Sequence, residues 1–405
     1  MVAITLLKED ITQMVSIEKI DNKLDIEFIE CLKCALHKNT YNKPFLDEKK
    51  LFYNAINQGL PAIMVNGINK DLVSKQLYEV FQKHTFSFVH KDLRQQNLIE
   101  QLITIFNDIN IRFVFLKGTI LKPLYDETFM RGMGDIDVLV DRDKLDLIEK
   151  TFKKRGFKIY AKSPQHDVYE TKDGLLVEVH PTLYSDAHDA YSNFFSNAID
   201  YATFDNNYGR LEPNYELVYL IYHLAKHFRT SGIGLRSLLD ISVYINHFEK
   251  VIHQKILDSY LEKTNLTTFF NTIMFLNYQY FGYRHYLYED DFMDQDLFNQ
   301  ITEHLMSSGI HGKGTDFNFM APRVAIEEKP NRIKIFFRLL FPKFYQMKSM
   351  YPVLKKWPIL LPFMYIYRII KKIFSKRSRK ATKELIVAKQ AANTMAGMFD
   401  KIGLR

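Results

Sequence analysis

The chain reads as an α+β protein, a small mixed sheet flanked by helical regions on its N- and C-terminal sides. Three observations carry that class. Apolar residues recur at three- and four-residue spacing through most of residues 1–108 and 212–330, the period of helices with one buried face. Between them, residues 109–210 hold short β-branched and aromatic runs punctuated by glycine-containing turns, the pattern of strands and hairpins. The length of 405 residues, 47% hydrophobic and 25% charged, allows two or three domains with ordinary packed cores.

The N-terminal helical region is expected over 1–108. Lys8, Glu9 and Asp10 interrupt the first apolar run before a signal-peptide core can form, so the cytoplasm is the expected compartment. Helices are expected over Asp25–His37, Asp47–Gln58, Lys70–Lys83 and Lys91–Asp108, with breaks at Asn39–Pro44 and Gly59–Pro61. Cys31 and Cys34 follow the apolar pattern of the first helix. Two thiols do not complete a tetrahedral zinc site, and they read as half-buried apolar residues.

The α/β core is expected over 109–210. Ile111–Leu116 is a short strand ending in Lys117-Gly118-Thr119, with a short helix from Ile120 to Asp126. After Arg131-Gly-Met-Gly134 comes a strand that opens Asp135-Ile-Asp137-Val-Leu-Val140. Residues i and i+2 of a strand share a face, so Asp135 and Asp137 aim two carboxylates at one point while Ile136 and Val138 enter the core. Like charges that close are tolerated when a divalent cation lies between them. The pair reads as a Mg²⁺ site, with Mn²⁺ as the substitute. A helix over Asp143–Arg155 with Asp143 as N-cap, strands Phe157–Ala161 and Val168–Thr171, a Lys172-Asp-Gly174 turn and a strand Leu175–His180 follow. Glu178 of that last strand stands among hydrophobic residues, where an isolated carboxylate is costly to bury. A cation shared with Asp135 and Asp137 would remove that cost. Gly118 lets the backbone approach a phosphate, and Lys117 and Thr119 can contact its oxygens. Arg131, with Gly132 and Gly134 beside it, aims a guanidinium at the site or braces the aspartates; a surface salt bridge is its bland alternative.

At this point the chain resembles a family. The order Lys-Gly, Arg-x-x-x-Asp-x-Asp and Val-Glu-Val-His, over roughly residues 100–240, is similar to the nucleotidyltransferase superfamily of DNA polymerase β. More closely, it resembles the bacterial group of uncharacterised nucleotidyltransferases. The turn here is Gly118-Thr119 where the superfamily has Gly-Ser or Gly-Gly, and the interval to Asp135 is a few residues longer. The resemblance implies a metal-dependent enzyme in which Asp135, Asp137 and Glu178 are catalytic and metal-binding. Lys117, Gly118, Thr119 and Arg131 would hold the nucleotide. The reaction implied is transfer of a nucleoside monophosphate from ATP or another NTP to an unidentified acceptor hydroxyl, with pyrophosphate released. Two other readings stand beside it: a non-catalytic nucleotide-binding or scaffold protein, and a toxin-like transferase acting on tRNA.

A C-terminal helical domain is expected over 211–330. Pro213 starts a helix carrying His223, Lys226 and His227, Gly232 and Gly234 break it, and the next helix carries Arg236 and Asp240. This stretch resembles the helical hairpin that follows the catalytic core in the family. His223 and His227 share a helical face, and contact with nucleotide or acceptor suits His223 and Arg236 better than metal binding; a core or surface histidine is the bland reading.

The last region, 331–405, is a basic amphipathic segment. Between Lys329 and Lys383 fall 16 of the 55 Lys and Arg and no Asp or Glu, which leaves 39 basic against 47 acidic residues elsewhere. A charge split of that kind points to a polyanionic partner. The run Trp357–Tyr367 is too short to span a bilayer, so no transmembrane helix is expected. An anionic membrane surface, an RNA backbone, or the protein's own body are the three partners this segment suits.

Overall fold

The structure, a computed structural model, describes residues 16–163, 165–183, 193–287, 293–310, 353–373 and 394–404, with isolated positions at 325, 341, 342, 344, 347, 351 and 392. The first apolar run, and 329–340 and 374–383 of the basic segment, lie outside those residues.

Side chains that cap backbone N–H groups set the first helices. Asn22 caps α1 (Lys23–Leu36), and Asp47 caps α2 (Glu48–Gln58), which ends at Gly59 in the left-handed region. Cys31 is buried, Cys34 half-buried, and both are free thiols. The two helices expected over Lys70–Lys83 and Lys91–Asp108 are one. Lys70–Leu72 is a separate 3-10 turn, and α3 runs unbroken from Lys75 to Asp108, capped by Ser74. The interval 84–90 has no Gly or Pro to stop it. Its length serves two cores: Leu77 and Phe81 pack among the helices, while Leu98, Leu102, Ile105 and Phe106 pack under the sheet.

The sheet is mixed and seven-stranded, in the order β3-β4-β5-β2-β1-β7-β6. Its strands are β1 (Phe113–Phe115), β2 (Asp135–Val140), β3 (Lys158–Lys162), β4 (Asp167–Glu170), β5 (Leu176–His180), β6 (Ala202–Asp205) and β7 (Tyr208–Leu211). Only β2 with β5 and β1 with β7 run parallel. The hairpin β6–β7 was not expected. Asn206, at φ 54, makes its turn, and a side-chain amide in that region is tolerated for the reason Gly is. Helix α4 (Leu145–Lys154) is entered through the 3-10 turn Arg142–Lys144. Asp143 therefore does not cap it; its carboxylate pairs with Lys144 at 2.9 Å.

Alternation along β2 decides where the chemistry lies. Ile136, Val138 and Val140 enter the core beneath the sheet with α3 and α4, whereas Leu139 packs on the helical side. By the same period Asp135 and Asp137 face the helical side, and on β5 Glu178 and His180 do so opposite Val177 and Val179. That side is covered by α5 (Pro213–Thr230) and α6 (Leu235–Phe248), backed by α7 (Gln254–Lys263), α8 (Thr267–Phe281) and α9 (Gln295–Ser308).

Candidate active site

Between the sheet and the α5–α6 pair lies a cavity of about 360 Å³. Of the residues singled out in the sequence, Lys117, Gly118, Arg131, Asp135, Asp137, Glu178, His223 and Arg236 all line it. Thr119 does not; its hydroxyl faces the Met133 sulfur at 3.7 Å.

The sheet register assembles the acidic wall. Asp137 stands directly across from Glu178 on the neighbouring parallel strand, and Asp135 lies one pleat nearer the strand start. Burial and the charges of Asp137 and Glu178 push the Asp135 carboxyl up to about 6. Asp137 is held the other way. Burial opposes its charge, but Lys117 Nζ at 2.6 Å and His180 Nε2 at 2.8 Å, both on Oδ1, hold it far below the usual carboxylate range. Burial likewise opposes the Lys117 ammonium, and Asp137 outweighs it, so Lys117 stays charged. Lys117 takes φ 49, rare for a residue with a Cβ, at the strand-to-helix turn. That turn aims its side chain across β1 at β2. Glu178 is disfavoured as a charge by burial yet falls below its ordinary range because His180 is hydrogen-bonded to it.

A second group holds the cavity's other wall. The Arg131 guanidinium grips both Asp240 oxygens, Nε to Oδ1 at 3.1 Å and Nη2 to Oδ2 at 2.9 Å, and the Tyr125 hydroxyl donates to Oδ1 at 2.8 Å. Arg236 donates to the Gly132 carbonyl at 2.9 Å, and Gln95 to the Met133 carbonyl at 3.1 Å. Burial and Arg131 bring Arg236 down to about 10. Arg131 is thus engaged by the helical region rather than by Asp135 or Asp137, and a Cβ on Gly118 would lie 2.6 Å from its Nη1. Gly118 is small because Arg131 and Met133 pass beside it.

Lining residues given no site role from the sequence include His166, His180 and Tyr219, and Lys226, His227 and Asp240 of the expected helical hairpin line the cavity as well. His180 was legible, since it lies two positions after Glu178 and must share its face. His166 continues the β4–β5 register to a place opposite His180, and their rings lie 5.1 Å apart. Among the described residues, the trio whose ligand atoms come within 4.8 Å of one another is His166, Glu178 and His180, not the two aspartates with Glu178. On α5, His223 and His227 have ring centroids 4.4 Å apart, and His227 Nδ1 meets the Ser231 hydroxyl at 2.9 Å. Burial, then Lys117, lowers Lys226 on the same wall.

Residues 46–282, more than half of the chain, match a family model described as uncharacterised nucleotidyltransferase. The chain belongs to that family. It is accordingly a transferase of the nucleotidyl class, and the two-aspartate strand lies within the matched span. No curated protein matches this nucleotidyltransferase. Among solved structures, the solution structure of the antibiotic-resistance factor ANT(2'')-Ia is similar over 42% of this chain and 92% of its own, at 13% identity and a TM-score of 0.33.

Proposed function

We propose that this nucleotidyltransferase binds an NTP with a divalent cation in the cavity and transfers its nucleoside monophosphate to an acceptor hydroxyl. The observation that carries the reading is three carboxylates on two adjacent parallel strands, Asp135, Asp137 and Glu178, at the wall of a cavity that also holds Lys117, Lys226 and Arg236. The donor set fits a hard dication. Three acidic side chains share one wall of the cavity, and Asp135 is pushed up by burial and by its two neighbours, a crowding that a cation would relieve. Carboxylate oxygens suit Mg²⁺ and Mn²⁺, and Asp135, Asp137 and Glu178 would hold the ion. When bound, it neutralises phosphate oxygens and eases deprotonation of the acceptor.

The chain's own residues do the rest. Lys117, Lys226 and Arg236 give the cavity three cations to receive a polyphosphate, and His223 lies beside them. Gly134 leaves open space before Asp135, where a backbone can approach a ligand. Glu178, kept ionised by His180, accepts the proton of the acceptor hydroxyl. The acceptor oxygen then bonds the α-phosphorus as the bond to the α,β-bridging oxygen breaks, and pyrophosphate leaves. Arg131, tied to Asp240, positions the Gly118 turn rather than touching the reacting atoms.

The test is incubation with each α-phosphate-labelled NTP, Mg²⁺ and a cytoplasmic extract, followed by separation of RNA, protein and lipid-soluble material. Label should appear in one fraction with stoichiometric pyrophosphate, and Asp137→Asn should abolish it. Label in tRNA, with growth arrest relieved by the same substitution, would select the toxin-like reading. Nucleotide bound with no pyrophosphate released in any fraction would overturn the transfer reading.

A further inference from the structure

The helix α10 (Leu361–Ile373) and the turn before it are built inside out. Every exposed position from 361 to 370 is apolar or Pro: Pro362, Phe363, Ile366, Tyr367 and Ile370. At 100° per residue, Phe363, Ile366, Tyr367 and Ile370 fall within one stripe. Ile359, 79% exposed, and Phe363, 67% exposed, open that stripe, and Trp357 stands beside them at 62%. The opposite side is the one that meets protein. Tyr365 donates to the Pro342 carbonyl at 2.6 Å and packs on Phe341, and Arg368 is only partly exposed. Large apolar side chains in water at this density mark an interaction surface.

The charge around the stripe says what covers it. The helix lies inside the interval Lys329–Lys383, which has 16 cations and no anion, with Lys355 and Lys356 before it and Arg368, Lys371 and Lys372 along it. Thirteen residues of helix reach only about 20 Å, and no helix among the described residues is long and apolar enough to cross a membrane. A partner must therefore at once accept an aliphatic stripe and suit a segment that carries 16 cations and no anion. A nucleic-acid backbone meets the second demand but offers nothing to bury Ile359, Ile366 and Ile370. The headgroup–acyl boundary of an anionic bilayer meets both.

We infer that residues 357–373 form an interfacial helix that lays Ile359, Phe363, Ile366 and Ile370 into the surface of an anionic phospholipid membrane. This docking is independent of the chemistry in the cavity, so the Asp137→Asn protein binds membranes as the unaltered protein does. Trp357 reports it directly, being the single tryptophan of the chain. Vesicles of phosphatidylcholine with phosphatidylglycerol as the minority lipid should shift its emission to the blue. They should also carry the full-length protein upward in a density gradient, while pure phosphatidylcholine vesicles carry far less. Raised salt should weaken the binding without abolishing it, because the apolar contribution is not screened. Ile366→Ala and Ile370→Ala should each reduce partitioning on the order of tenfold, and Ile366→Glu should remove it, with the melting temperature unchanged because the positions are exposed. If these variants lose stability, the Trp357 emission of the unaltered protein still decides. An unshifted emission with anionic vesicles at low salt overturns the inference. So does retention of full binding by Ile366→Glu, or displacement from vesicles by an RNA oligonucleotide at a concentration where the lipid does not compete.

Discussion

Two buried ion pairs line the cavity and differ in kind. On the sheet side, Lys117 and His180 converge on one oxygen of Asp137. On the helical side, Arg131 takes both oxygens of Asp240 and Tyr125 adds a third bond. An ammonium on a flexible stem is a movable point charge, whereas a guanidinium fork fixes orientation as well as charge. Asp137 also sits among like charges, Asp135 and Glu178, while Asp240 stands between two arginines. The first pair is an arrangement that a ligand can exchange. The second is a clasp between the sheet's Gly-rich turn and α6.

Breaking each pair should separate activity from stability. Asp137→Asn should lower the transfer rate roughly 10³-fold, several kcal/mol of lost charge stabilisation in the reaction. It should also cost stability, because Lys117 loses its carboxylate partner, but less than the loss of Asp240, since it relieves the repulsion on Asp135. Asp240→Asn should destabilise by about 3–5 kcal/mol, because it leaves the Arg131 charge buried without its partner. Denaturant melts of the two variants check the contrast. A larger stability loss for Asp137→Asn would show that the exchangeable pair is the structural one.

The contrast also marks what the sequence could show. Period-two alternation alone puts Asp135 and Asp137 on one face, because strand geometry is local; Glu178 joins them through the long-range pairing of β5 with β2. The mixed α+β class followed from the same periodicities. The partner of Arg131 was not legible, since Asp240 lies 109 positions away and nothing local announces a pairing across two elements. The fused helix α3 escaped for a related reason. Residues 84–90 are weakly periodic, and it is packing at both ends, against two different cores, that holds them helical. The β6–β7 hairpin has strands of four residues, too short for alternation to stand out.

Glu216 supplies a third case, a carboxyl buried with a hydroxyl instead of a cation. Burial pushes it up to about 8, against the Tyr244 hydroxyl at 3.1 Å. Its folded value lies above that of the free side chain, so the folded protein holds a proton the unfolded chain has released between the two. Its contribution to stability is full below the free value and is lost as pH rises through about 8. Melting temperature should therefore fall on moving from pH 5 toward pH 8 and beyond. Glu216→Gln should flatten that slope, recovering on the order of a few kcal/mol at the alkaline end. A slope unchanged in Glu216→Gln would assign the effect to another group.

The smallest effects should come from two glycines that look alike in sequence and are not alike in space. A Cβ on Gly118 would lie 2.6 Å from both Arg131 Nη1 and the Met133 sulfur, whereas one on Gly134 would meet nothing within 4 Å. Neither takes a positive φ, so contact rather than backbone strain separates them. Gly118→Ala should cost about 1–3 kcal/mol by forcing Arg131 and Met133 aside. Because Met133 is flexible, Met133→Ala in the same chain should recover part of that loss, and the size of the recovery measures how much of the clash is borne by Met133 and how much by the Arg131–Asp240 clasp. Gly134→Ala should leave stability within about 0.5 kcal/mol, yet its methyl would enter the open space beside Asp135 in the cavity wall. An NTP affinity that falls in Gly134→Ala at constant melting temperature would place the ligand against that turn. Equal affinity in both proteins would move it toward Lys226 and His223 on the opposite wall.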